Sequence, residues 1–108
     1  MTRVFWTPQA RDDLQTLHDY IAKDSLHYAG VVVDRVIDAM GRISNFPESG
    51  RIVPELSRSD VREVLWRSYR IVYRLTADNA QAHVLTVFRA ERLFPYSLVG
   101  AGGPGPSA

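Results

Sequence analysis

"VREVLWRSYRIVYRLTADNAQAHVLTVF", residues 61–88, contains three runs in which apolar residues alternate with others: Val61 to Trp66, Tyr69 to Leu75 and Ala82 to Phe88. A period of two is the signature of extended chain, whose successive side chains point to opposite faces of a sheet. The connectors "RS" and "TADNAQ" are short, and the second carries Asp78 and Asn79, both suited to a tight turn. Strands joined so briefly pair antiparallel, as a meander. The middle strand is two-sided. Tyr69, Ile71, Tyr73 and Leu75 share one face, and Arg70, Val72 and Arg74 share the other, which is therefore either solvated surface or a place of contact.

Working outward, "RVFW", Arg3 to Trp6, reads as a first strand that stops at "TP". Thr7 can cap a helix, and Pro8 can occupy its first position without losing a needed hydrogen bond. Ala10, Leu14, Leu17 and Ile21 recur at helical spacing, with Arg11, Asp12, Asp13 and Asp19 opposite, and predict a helix to about Lys23. Asp24 or Ser25 restarts the pattern. Ala29, Val32, Val33, Val36, Ile37, Met40 and Ile43 form a wider apolar stripe ending near Phe46, and the short connection demands an antiparallel hairpin. "FPESGRIVPEL" breaks the periodicity with Pro47, Gly50 and Pro54 and reads as a loop. The order β-α-α-β-β-β specifies a two-layer α+β domain, the helical hairpin packed on one face of a mainly antiparallel sheet through Val33, Val36 and Met40. The other face is expected to lie uncovered. A single domain over residues 1–96 is expected, followed by a disordered Gly/Pro-rich tail over 97–108.

Composition narrows the function classes. Hydrophobic residues make up 45% of the 108 and charged residues 23%, which suits a folded domain rather than a disordered one. No run approaches the length of a membrane span and "MTRVFWTPQA" lacks a signal peptide's apolar segment, so the expected location is cytoplasmic. The absence of cysteine removes disulfides, thiol catalysis and thiolate zinc sites. Of the 13 Lys and Arg residues only Lys23 is lysine, a bias that suits planar contacts with carboxylate or phosphate and that base composition of the gene would also produce.

Most familiar chemistries find no support. His18, His27 and His83 are scattered, with no pair at helical metal-ligand spacing, so no metal is expected. There is no Gly-rich phosphate loop and no serine on a strand-turn-helix elbow, and no cofactor is implied. Asp12 and Asp13 are adjacent on a helix, point in different directions, and read as first-turn acids favoured by the helix dipole. Trp6, Trp66, Phe46 and Phe88 lie in apolar runs and read as core. The arginines are harder to dismiss. Arg67, Arg70, Arg74, Arg89 and Arg92 all come from the meander or just after it; each alone reads as solvated charge, whereas like charges gathered on one face point to a negatively charged partner.

"FPESGRIVPEL", "VREVLWRSYRIVYRL" and "VLTVFRAERL", in this order behind a strand ending in Trp and two helices, resemble the ParE branch of the ParE/RelE toxin superfamily over about Val4 to Leu93. The resemblance implies the fold reached above, a role in plasmid stabilisation, and an antitoxin from the same operon. It also implies a target: DNA gyrase for ParE-like members, or mRNA on the ribosome for RelE-like ones. A RelE-like ribonuclease relies on crowded lysines and arginines, often with a late tyrosine, to orient RNA and stabilise charge on the phosphate. Arg70 matches the arginine of the "YR" strand and Arg92 the one after the last strand. Tyr96 could stand for the late tyrosine, although it follows Arg92 closely with Pro95 between. The two expected lysines fall at about Val61 and Glu63, where a glutamate would oppose a phosphate. A related branch with a glutamate base and a histidine should end its last strand in His; here that region reads "FRAER", and His83 lies at the other end. The expectation is therefore a non-enzymatic, ParE-like gyrase inhibitor neutralised by a ParD-like antitoxin, with Arg67, Arg70, Val72, Arg74, Arg89 and Arg92 as its contact surface. The alternative is a ribosome-dependent mRNA endonuclease using Arg70, Arg92 and Tyr96.

Overall fold

Two hydroxyl side chains set where the long helices begin. In the computed structural model, which describes residues 1–100, Thr7 accepts a hydrogen bond from the Ala10 amide and Ser25 one from the Tyr28 amide. Each satisfies a donor that a helix start leaves without a partner. Strand β1 (Arg3–Trp6) leads through Thr7 into α1 (Pro8–Ala22), and Ser25 opens α2 (Leu26–Gly41). A short 3-10 turn, Arg42–Ser44, follows, so the second helix ends earlier than its apolar stripe suggests. Phe46, beyond it, is 66% exposed and is not a core residue. Asp12 and Asp13 fall past the first turn of α1; Asp13 instead accepts a hydrogen bond from Thr86 and ties the helix to the sheet.

The sheet has five strands. After β1 come β2 (Arg51–Ile52), β3 (Val61–Trp66), β4 (Tyr69–Leu75) and β5 (Gln81–Arg89), in the spatial order β1-β5-β4-β3-β2. β3, β4 and β5 form the antiparallel meander, and β1 joins β5 in parallel. β2, within the stretch expected to be a loop, pairs Arg51 with Glu63 and Ile52 with Arg62. Two residues are too few to show alternation, which is why the pattern missed it. The register of β4 against β5 shifts between Val72 and Tyr73, leaving Leu85 as the extra residue of a β-bulge.

One face of the sheet packs on the helical hairpin. Val32, Val36, Met40 and Ile43 meet Ile71, Tyr73, Leu75, Val84 and Val87 in the main core, while Val33 is only half-buried at its margin. Tyr73 is held inside it by its hydroxyl, which donates to the Pro47 carbonyl at 2.7 Å and accepts the Gly50 amide at 3.1 Å. Gly50 must be glycine for this: a Cβ there would strike the Tyr73 hydroxyl and lie 2.8 Å from the Glu63 carbonyl oxygen.

The opposite face is not left uncovered. Val53 and Leu56, from the loop after β2, and Phe94, from the segment after β5, close over Val61, Val72, Leu85 and Phe88 in a second core. Leu56 and Ser57 both donate backbone N–H groups to the Val53 carbonyl, and Ser57 takes φ 54°, so the loop curls back onto the sheet. A short helix α3, Tyr96–Gly100, ends the described chain. Residues 97–100, expected as part of a disordered tail, are thus helical, and the rest of that segment, 101–108, lies outside the described residues.

Candidate functional site

Arg70 enters the second face of β4 between Leu65 of β3 and Phe88 of β5. Its Nε donates to Glu63 Oε1 at 2.7 Å, while Nη1 and Nη2 donate to the two oxygens of Glu55 at 2.7 and 2.6 Å. The fork of the guanidinium matches both carboxylates at once, which lysine could not do. Its central carbon lies 5.2 Å from the Phe88 ring and 5.3 Å from the Phe94 ring. Glu63, whose side chain is 0% exposed, uses its other oxygen to accept from Arg51 Nε at 2.6 Å. Arg51, Glu63, Arg70 and Glu55 thus alternate in sign and cancel. Either charge of the central pair would be costly to bury alone.

The contact between Arg70 and Glu55 shifts the titration of both. Hydrogen bonds to Glu55, partly opposed by burial, hold Arg70 above its usual range. Those same bonds hold Glu55 below its ordinary value of 4.5, against a smaller opposing effect of burial. A carboxylate whose pKa is depressed by folding contributes stability above its unfolded value and loses it as pH falls through the folded one. Chemical denaturation at a series of pH values should therefore show stability declining below pH 4.5, and Glu55→Gln should flatten part of that acid limb. An acid limb unchanged in Glu55→Gln would show that the contact does not persist in solution.

The other candidates do not gather on one face. Val72 is fully buried in the second core and Arg70 nearly so, which removes both from the accessible surface. Arg74 is half-buried opposite Val61 and His83. Arg67 occupies the β3–β4 turn at φ 51°, exposed, with its guanidinium 5.2 Å from the Trp66 ring. Arg89 pairs with Glu91 at 2.7 Å and lies over the Tyr20 ring of α1. Arg92 is exposed and lines a pocket with Arg89 and Tyr20, next to α1. Tyr96 is also exposed, edge-on to Phe94. The segment following β5 has left the strand, so period-two reasoning could not place Arg92 or Tyr96. His83 stacks on Phe5 and His18 contacts Asp19; among the described residues no group of His, Cys, Asp or Glu could hold a metal ion.

A second feature escaped the sequence. β1 is an edge strand, and the Arg3 and Thr7 amides donate to the Ala80 and Val84 carbonyls of the β5 side. By alternation the backbone groups of Val4 and Trp6 face outward. Beside that edge runs a groove of about 670 Å³ lined by Val4, Trp6, Leu14, Val33 and Ile37, with Arg11 and His18 at its polar positions. Among the described residues no helix is long and apolar enough to cross a membrane.

Residues 4–94 match the family described as the ParE toxin of type II toxin-antitoxin systems, parDE. The Y4kP protein of Sinorhizobium fredii (strain NBRC 101917 / NGR234) is 34% identical over 98 residues, covering 89% of this chain and 96% of that one. The fold recurs in a chain of the chromosomal ParDE system of P. aeruginosa, with TM-score 0.69 and 21% identity over 84% of this chain and 98% of that one. It recurs also in a chain of the RelBE2 complex of Mycobacterium tuberculosis, at 0.57 and 24% over 82% and 96%. Isolated E. coli RelE gives 0.61 and 18% over 92% and 95%.

Proposed function

The chain belongs to the family of ParE toxins of type II toxin-antitoxin systems, and from that premise we propose that it inhibits DNA gyrase without itself catalysing a reaction, and that a ParD-like antitoxin neutralises it. The observation that carries this reading is the fate of Arg70. On a nucleolytic surface that arginine must be free to hold a phosphate. Here it is 8% exposed at the side chain and bonded through all three of its nitrogens to Glu55 and Glu63. A phosphate could reach it only by displacing two carboxylates whose charges already match it. Glu63 and Val61, in place of the lysines, add no positive charge.

The antitoxin's place on this reading is the groove beside β1. An extended segment could pair with the outward backbone of Val4 and Trp6 and lay apolar side chains against Leu14, Val33 and Ile37. Solved relatives include the RelBE2 toxin-antitoxin complex and the ParDE system, which supports a partner of that kind. Two assays on purified protein test the function. Supercoiling by gyrase should be inhibited, or the enzyme trapped on cut DNA, while ribosome-bound mRNA in a translation extract stays intact. Codon-positioned cleavage of that mRNA would reverse the assignment in favour of a ribonuclease.

A further inference from the structure

Away from the groove, rings and cations gather about the end of α1. Tyr20 is 56% exposed and Tyr28 44%, and both lie near Tyr69, which stacks on Trp66 at 6.1 Å between ring centroids. Lys23 and Arg89 lie 5.7 and 5.6 Å from the Tyr20 ring, and Arg67 lies over Trp66. Ring faces engaged by cations and by one another are poorly placed to stack on bases. The exposed groups here, Tyr20, Tyr28 and the guanidinium of Arg92, carry hydroxyl and N–H donors of the kind that recognise carboxylates and peptide groups of a protein. Tyr, Trp and Arg are also the residues that anchor protein interfaces, and rings already held in place lose little freedom on binding.

Within this end a pocket of about 290 Å³ opens between α1 and the end of β5. Leu17, Val87 and Phe88 form its apolar lining, and Tyr20, Arg89 and Arg92 its polar one. Arg51, Arg58, Arg70 and Arg89 each pair with a carboxylate of the fold, whereas no ion pair engages Arg92 among the described residues. Asp13 also lines the pocket, but its two oxygens accept from Gln9 and Thr86. We infer that this end is a docking surface for the toxin's protein target, and that the pocket between Tyr20, Arg89 and Arg92 receives an acidic side chain of it.

The inference deepens the proposed function and rests on its reading of the target as a protein. It assigns the surface to the target and not to the antitoxin because the β1 groove and this pocket use different faces of α1. Arg11, Leu14, Gln15 and His18 line the groove; Asp13, Thr16, Leu17 and Tyr20 line the pocket. At about 100° per residue the two sets point in nearly opposite directions.

The test compares wild type with Arg92→Glu and Tyr20→Ala, both at exposed positions, in binding to purified gyrase, binding to the antitoxin, and growth arrest on induction without antitoxin. Both variants should melt as wild type does and keep antitoxin affinity within about twofold. Gyrase binding should weaken at least about tenfold, as expected for loss of an interface anchor, and growth arrest should fade with it. Arrest undiminished in both variants would overturn the inference, as would a tenfold loss of antitoxin affinity, which would give the surface to the antitoxin. Binding of a short single-stranded oligonucleotide that both variants lose would overturn it in favour of nucleic acid. Wild type that arrests growth without binding gyrase would sink gyrase as the target, while the inference still stands or falls on arrest by the variants. Wild type that arrests nothing would overturn both.

Discussion

Arg70→Ala is expected to cost about 3 to 5 kcal/mol of folding stability, the usual consequence of removing one partner from a buried ion pair. Glu63, fully buried, would keep only Arg51, and Glu55 would lose both of its guanidinium donors. Because Arg51 still reaches Glu63, the lower end of that range is the better expectation. Urea denaturation of the purified variant measures it directly. A loss under about 1 kcal/mol, the range of exposed pairs, would mean that the network is solvated and loose. The double replacement Arg70→Met with Glu63→Leu should recover much of the loss, since apolar residues of similar volume often substitute for a buried pair at little cost. The pair of variants also guards the functional assay. A loss of activity in Arg70→Ala alone reports an unfolded protein as readily as a missing contact, whereas activity retained in the double variant would exclude Arg70 from any chemical role.

Val36→Asp should leave no folded protein to measure. Val36 is completely buried where α2 meets the sheet, among Val32, Met40, Ile71 and Val84. An aspartate there would be surrounded by hydrocarbon, and burying an unpaired ionisable group costs several kcal/mol, comparable with the whole stability of a domain this size. Expression should give insoluble material, and any soluble fraction should lack a cooperative thermal transition. A melt near that of wild type would show that α2 presents a different face to the sheet.

Much of this architecture was legible because the relevant signals are local. Period-two alternation placed β3 and β4 at their observed ends, the short apolar run before "TP" placed β1, and Thr7, Pro8 and Ser25 marked the helix starts. The signals failed where a residue's environment is made by distant chain. Nothing in "FPESGRIVPEL" distinguishes Glu55 from a solvated loop acid until the loop folds over β4 and presents it to Arg70. Val53 and Phe94 cover the second face from either side of the meander, so a strand pattern alone made that face look open. The placement of Val72 between two arginines was the one clue: a valine on a solvated face has no reason to be there, and it belongs to a second core. Arg89 and Arg92 were misplaced for a simpler reason. Arg89 closes β5 beyond the bulge at Leu85, and Arg92 lies past the end of the strand, so the face of neither can be counted from the alternation alone.

The parallel pairing of β1 with β5 joins the first and last strands of the described residues. During synthesis β1 and the helical hairpin emerge early, but the central strands that cover their apolar sides arrive only with residues 69–89. Contacts so distant in sequence form late, after the intervening chain has paid its closure entropy. A nascent chain halted before β5 therefore has neither its sheet nor the pocket beside Arg89, and its exposed hairpin is a substrate for chaperones and proteases. The fold therefore assembles as a unit: neither the full sheet nor the pocket beside Arg89 exists until β5 has joined β1 and β4.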